Sequence, residues 1–185
     1  ALLRSQINPR FLLNTLTYIR SLIERLPDKA IYSIENLSEI MSYMLYETSS
    51  EKVSLDNEIN YINNYINLQK VRYYPDYISF EVSGDTSGIL IPPLLFMPFL
   101  ENAFKYGECS HVTPGIIISL GIKGNKLSFE VMNYVKEYAE KVNDEEGFSV
   151  RSIKRYLDLQ YGNNYSLNIN NEGSKYLIEL NVKLS

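Results

Sequence analysis

The hydrophobic period of this chain changes near Pro75, and few folds satisfy both halves. Before that point apolar residues recur every three or four positions. Leu2, Leu3, Ile7, Phe11, Leu12, Leu16, Ile19, Leu22, Ile23 and Leu26 share one helical face over roughly 1–26. Pro9 sits inside that pattern; it removes a backbone N–H and should loosen the helix near Ser5 to Pro9. Pro27-Asp28 reads as a stop and restart, with Asp28 as N-cap. A second helix to about Ser49 places Ile31, Ile34, Leu37, Met41, Met44 and Leu45 on one face. Two helices joined so closely form an antiparallel hairpin, whose apolar stripe is best covered by pairing two copies into a four-helix bundle. A third helix starts at Ser54 as N-cap, with Asp56 and Glu58 near its positive end, and stops before Pro75.

After Pro75 the period is two. Ile78, Phe80 and Val82 alternate with Ser79, Glu81 and Ser83, the pattern of a half-buried strand. Ile91-Pro92-Pro93 is expected to open a helix through about Tyr106, with the prolines where no N–H partner is needed. Ile116–Ile122 and Lys126–Asn133 read as strands about a hairpin turn. Residues 134–147 read as a polar loop, Phe148–Gln160 as a helix, and Tyr165–Ile169 with Tyr176–Val182 as a second hairpin. The sum is an α+β chain. A helical hairpin over 1–52 precedes a two-layer α/β sandwich over 53–185.

Composition removes several functions. The 185 residues carry one Cys and one His, so a disulfide framework and a multi-histidine metal site are both excluded. A net charge of −4 argues against a nucleic-acid partner, which calls for a basic face. The longest apolar run, Gly88 to Leu100, is broken by three prolines and is shorter than the roughly 20 residues of a membrane span. The chain opens inside a helical pattern without an initiator Met. The expectation is a fragment of a longer protein, in which any membrane segment would lie upstream.

Three stretches carry a family resemblance. Residues 4–16, RSQINPRFLLNTL, resemble the QINPHFLFNTL motif of the LytS/YehU-type sensor histidine kinases. Residues 92–107 end in ENAFKYG, similar to that family's N box, ENAFKHG. Residues 147–162 resemble its GxGLxNxxxRLxxLYG segment. The motifs occur in the family's order along nearly the whole chain. The resemblance implies a dimerising hairpin followed by a histidine kinase/GHKL-type ATPase domain. It implies ATP and Mg²⁺ as cofactors, a response regulator as partner, and a place on the cytoplasmic side of the bacterial inner membrane.

Residue by residue, the resemblance carries over unevenly. The phospho-acceptor His of the motif is replaced by Arg10, and the lone His111 lies elsewhere. A guanidinium is protonated at working pH and offers no lone pair for attack on phosphorus. In the N box, Glu101 would be the general base and Asn102 would hold Mg²⁺ through the phosphates. Lys105 would meet phosphate as a point charge, and Tyr106 replaces a His while keeping a donor. Asn133 stands where the family reads adenine. Gly147 opens the second glycine box, in which Ser149 replaces a glycine that lets phosphate approach the backbone, a place that can demand a positive φ. Cys109 and the tyrosine excess of helices two and three read as packing. The implied activity is that of a two-component transmitter impaired in autophosphorylation. Two other readings stand beside it: an ATP domain that phosphorylates an intact partner kinase in a mixed dimer, and a non-catalytic dimeric interaction module.

Overall fold

The structure is a computed structural model that describes residues 9–72, 75–107, 114–134 and 145–184. The expected helix start over 1–8, Cys109, His111 and most of the polar loop fall outside these residues. The chain divides into two compact units.

The helical unit holds α1 (Pro9–Leu22), α2 (Pro27–Tyr46), β1 (Val53–Ser54), α3 (Leu55–Arg72) and β3 (Leu90–Ile91). It therefore takes in α3, whereas the sequence reading ends the hairpin at residue 52. The reason is packing. α3 covers α2 along a seam of Ile62, Tyr65, Ile66 and Gln69 against Ala30, Ser33, Leu37, Ile40 and Tyr43, all buried. The Phe11 and Tyr65 rings stack 5.1 Å apart, and Tyr18 Oη donates to the Val71 carbonyl at 2.7 Å, tying α1 to α3. Part of this seam is polar: Asn67 Nδ2 donates to Asn36 Oδ1 at 3.1 Å.

Two expectations need correction here. Asp28 is not the cap of α2. Leu26 occupies that place without a side-chain hydrogen bond, Pro27 opens the helix, and Asp28 follows in its first turn. The expected apolar face of α2 is also only half right. Leu37 is buried, but Ile31, Ile34 and Leu45 are exposed, because the face turned to α3 is the one carrying Ala30, Ser33, Ile40 and Tyr43. α2 thus has two apolar faces. Leu13 and Leu16 on α1, with Ile23 just beyond its end, add an exposed apolar series. Ser54 does cap α3, its Oγ accepting the Asn57 N–H at 3.1 Å.

β3 pairs with β1 in antiparallel register, Ile91 facing Val53. The strap Pro92–Leu95 follows. Leu94 has φ of +59°, a left-handed backbone that only this non-glycine residue adopts among the described ones. The expected helix from Ile91 is therefore broken at Leu94. α4 begins only at Met97, with Pro98 in its first turn and Phe96 as N-cap.

The sheet unit contains β2 (Ile78–Ser83), α4 (Met97–Tyr106), β4 (Ile116–Lys123), β5 (Lys126–Tyr134), α5 (Glu145–Tyr161), β6 (Tyr165–Glu172) and β7 (Lys175–Lys183). The strand order is β2-β4-β5-β7-β6. β2 and β4 are parallel and the other pairs antiparallel. The hairpins β4–β5 and β6–β7 close with two-residue loops whose first residues, Gly124 and Gly173, take φ of +58° and +61°. Register aligns Phe80, Ile118, Val131, Ile178 and Ile169 in one row and Leu120, Phe129, Leu180 and Leu167 in the next, all on one face. α4 lies on that face. Phe96 and Phe99 meet Phe129 at ring separations of 4.4 and 6.2 Å. α5 contributes buried Ile153 and Leu157 and packs on β6. The opposite face carries Glu81, Ser119, Glu130 and Glu179 in one row, so the helices cover one face only. This is the expected two-layer sandwich.

Candidate functional site

The N box occupies the second half of α4. Phe99, Leu100 and Ala103 are buried against the sheet. The 3.6-residue period then turns Glu101 and Lys105 outward and leaves Asn102 and Tyr106 half-buried at the flank. Lys105 Nζ lies 4.7 Å from the centroid of the Tyr106 ring, so the Tyr that replaces the motif's His holds the neighbouring cation by its face. Gly107 ends the helix, its N–H donating to the Ala103 carbonyl at 2.8 Å. Its φ is −63°, so conformational freedom is not what requires glycine there. A Cβ at this position would stand 2.6 Å from the Ala103 oxygen, and that close approach is the requirement.

Asn133 lies near the end of β5, in register with Ile116 and Tyr176 and on the same sheet face as Phe129 and Val131. It is a buried carboxamide, 1% exposed, on the face that α4 covers. Its nearest recorded hydrogen bond, Nδ2 to the Tyr134 carbonyl, is long at 3.5 Å. The structure thus brings the N-box helix and the adenine-reading candidate into one layer.

Gly147 and Ser149 both fall within α5, which begins at Glu145. Gly147 is in the first turn, where backbone N–H groups have no intrahelical acceptor. Ser149 is one position beyond, with right-handed helical backbone. The positive φ expected there is not adopted. Arg10 belongs to the helical unit. It is exposed in the first turn of α1.

The donor set suits a magnesium nucleotide. Asn102 offers a hard carboxamide oxygen, Lys105 a cation and Asn133 an amide acceptor. Among the described residues no group of three or more His, Cys, Asp or Glu could hold a metal by itself. No helix among those residues is long and apolar enough to cross a membrane.

One strongly perturbed acid escapes the sequence reading. Glu58, expected as a favourable charge at the start of α3, is fully buried. One of its oxygens, Oε1, accepts from Tyr43 Oη and from the Leu94 N–H, each at 2.5 Å. Burial pushes its carboxyl up to about 7, against the two hydrogen bonds, which lower it. The Tyr43 hydroxyl is pushed far above its ordinary value, first by burial and then by the Glu58 charge. The signal was present in the spacing, because Glu58 falls in line with Leu55, Ile62 and Tyr65 on the apolar face.

A family model described as Histidine kinase matches residues 1–77. The chain is 25% identical over 184 residues to the sensor protein LytS of Staphylococcus saprophyticus, covering 92% of this chain and 31% of that protein. It is 27% identical over 177 residues to the sensor histidine kinase BtsS of Escherichia coli, covering 95% and 31%. The chain therefore spans about a third of the length of these relatives. Among solved structures, the Acinetobacter baumannii histidine kinase AdeS aligns with a TM-score of 0.51 at 10% identity, covering 98% of this chain and 86% of that one, which is a likeness of fold. The motifs and these relatives together make the chain similar to the sensor histidine kinases of the LytS type.

Proposed function

We propose that this chain is the transmitter part of a two-component sensor histidine kinase whose own hairpin does not accept phosphate. The observation that carries this reading is Arg10, exposed on α1 where the family motif has its acceptor imidazole. The division of labour follows the two units: the hairpin α1–α2 for dimerisation, the sheet unit for nucleotide. Asn102 would hold Mg²⁺ through the phosphates, Lys105 would neutralise phosphate charge, and Asn133 would read adenine. Glu101 would act as general base. Bound MgATP would supply the γ-phosphoryl group. Gly147 would offer its backbone amide at the start of α5, and with Ser149 in place of the motif's glycine weak nucleotide binding is expected. The exposed apolar series Leu13, Leu16, Ile23, Ile31, Ile34 and Leu45 supports a dimer of such chains, or a mixed dimer with an intact kinase. A response regulator would be the downstream partner, and an upstream segment would attach the protein to the cytoplasmic face of the membrane.

The test is incubation with labelled ATP and Mg²⁺. The chain is expected to stay unlabelled and the Arg10→His variant to take label on the restored imidazole. Robust label on the unaltered chain would overturn the reading. The retained N box on α4 favours a second role, phosphorylation of an intact acceptor on a partner kinase. Absence of any heat of binding with millimolar ATP removes that role.

A further inference from the structure

Glu58 joins three segments of the helical unit at one atom. Oε1 takes the hydroxyl of Tyr43 from the last turns of α2 and the N–H of Leu94 from the strap, while Glu58 itself stands in the first turn of α3. The other oxygen, Oε2, is buried without a hydrogen-bond partner among the described residues. Among those residues the two donors fix the carboxyl group. With one removed, nothing at Oε2 prevents rotation about the Cγ–Cδ bond.

The strap makes this grip consequential. Pro92 and Pro93 carry no N–H, so Leu94 offers the first backbone donor after β3. That donor belongs to the residue with the left-handed backbone, at φ of +59°. A leucine there is disfavoured, and it persists where surrounding contacts over-determine it. Upstream, Ile91 is fixed to Val53 across the β1–β3 pair. Along the chain, Leu94 precedes Phe96, the N-cap of α4, by two residues. The grip is also short-ranged. A displacement of Tyr43 by about 1.5 Å along the bond would open the 2.5 Å Tyr43–Glu58 contact past hydrogen-bonding distance.

We propose that Tyr43, Glu58 and Leu94 form a latch that passes a displacement of α2 to the strap, switching Leu94 between a held left-handed conformation and a released one. This goes beyond the proposed function, since it requires neither nucleotide nor phosphoryl transfer. With Tyr43 in place the carboxyl group is pinned and Leu94 is held. With Tyr43 withdrawn the carboxyl group turns, Leu94 loses its acceptor, and the backbone relaxes toward the ordinary right-handed or extended regions.

Amide exchange on the full chain tests the latch. Tyr43→Phe removes only a hydroxyl, whose recorded partner is Glu58 and not Leu94. It should speed exchange of the Leu94 amide at least fivefold while leaving Ile62 on α3 unchanged. Glu58→Leu, which keeps volume but no acceptor, should speed it at least tenfold. Should that variant not fold, Leu94→Gly serves: glycine holds the left-handed backbone without strain, so its residue-94 amide should exchange no faster than that of Leu94, and adding Tyr43→Phe should speed it less than fivefold. Unaltered Leu94 exchange in the Tyr43→Phe protein overturns the proposal. So does equal acceleration at Leu94 and Ile62, which marks general loosening, and so does additivity of the Leu94→Gly and Tyr43→Phe effects.

Discussion

The buried carboxyl group of Glu58 makes the stability of this chain depend on pH with a definite sign. An acid whose ordinary value is 4.5 sits at about 7 in the folded chain. Between those values the unfolded chain has released the proton and the folded chain still holds it. Folding then binds a proton, so stability falls as pH rises. The favourable contribution is complete below 4.5 and is lost through 7. Integrated over that window it amounts to about 3 kcal/mol, undiminished by solvent because the side chain is 0% exposed. Other carboxylates titrate in the same range, so the wild type is compared with Glu58→Gln, which keeps an oxygen for Tyr43 and Leu94 but cannot ionise. Urea unfolding followed by far-UV ellipticity at pH 4.5, 6, 7 and 8 gives the difference curve. The wild type should lose about 3 kcal/mol relative to the variant from the lowest to the highest pH. A difference that is flat across this range, or that grows in favour of the wild type, refutes the reasoning.

Gly115→Ala places a Cβ 1.9 Å from the Tyr77 ring, beside the Gly115 N–H bond to the Tyr77 carbonyl. Such overpacking should cost about 3 kcal/mol or prevent folding, read as a fall in the urea midpoint. Leu16→Glu and Ile34→Glu alter side chains 53% and 51% exposed on the single chain. Each should leave urea stability measured at low protein concentration within about 0.5 kcal/mol yet shift sedimentation from dimer to monomer. A dimer indifferent to both changes would place the pairing surface elsewhere.

Much of the fold was legible because period and turn chemistry are local. Alternation indicates β2 from Ile78, turn residues at Lys123–Lys126 and Asn171–Gly173 indicate the two hairpins, and Ser54 announces α3. What escaped was set by neighbours far along the chain. α2 is apolar on two sides, and periodicity cannot say which side meets α3. The answer lies in Ser33 and Asn36, small and polar residues that the Asn36–Asn67 bond makes acceptable in the seam. The start of α4 escaped for a related reason. Pro92 and Pro93 suit a helix opening, but the left-handed Leu94 forbids one, and a leucine gives no sequence sign of left-handed backbone.

The candidate site divides along the same line. Glu101, Asn102 and Lys105 were readable because a helix period alone sets which of them faces away from Phe99 and Ala103. Asn133 was readable because a strand period puts it on the face of Phe129. Glu58 was not, since the same position serves a solvated helix-end charge and a buried acid equally well, and only the arrival of the Leu94 N–H from 36 residues away decides between them. The difference has a physical origin. Orientation within one element follows from covalent geometry, whereas the ionisation of a buried carboxyl depends on donors supplied by other segments. The residues that would touch nucleotide were therefore open to motif reading. The residue that links the hairpin to the strap became visible only when α2, α3 and the strap were brought together.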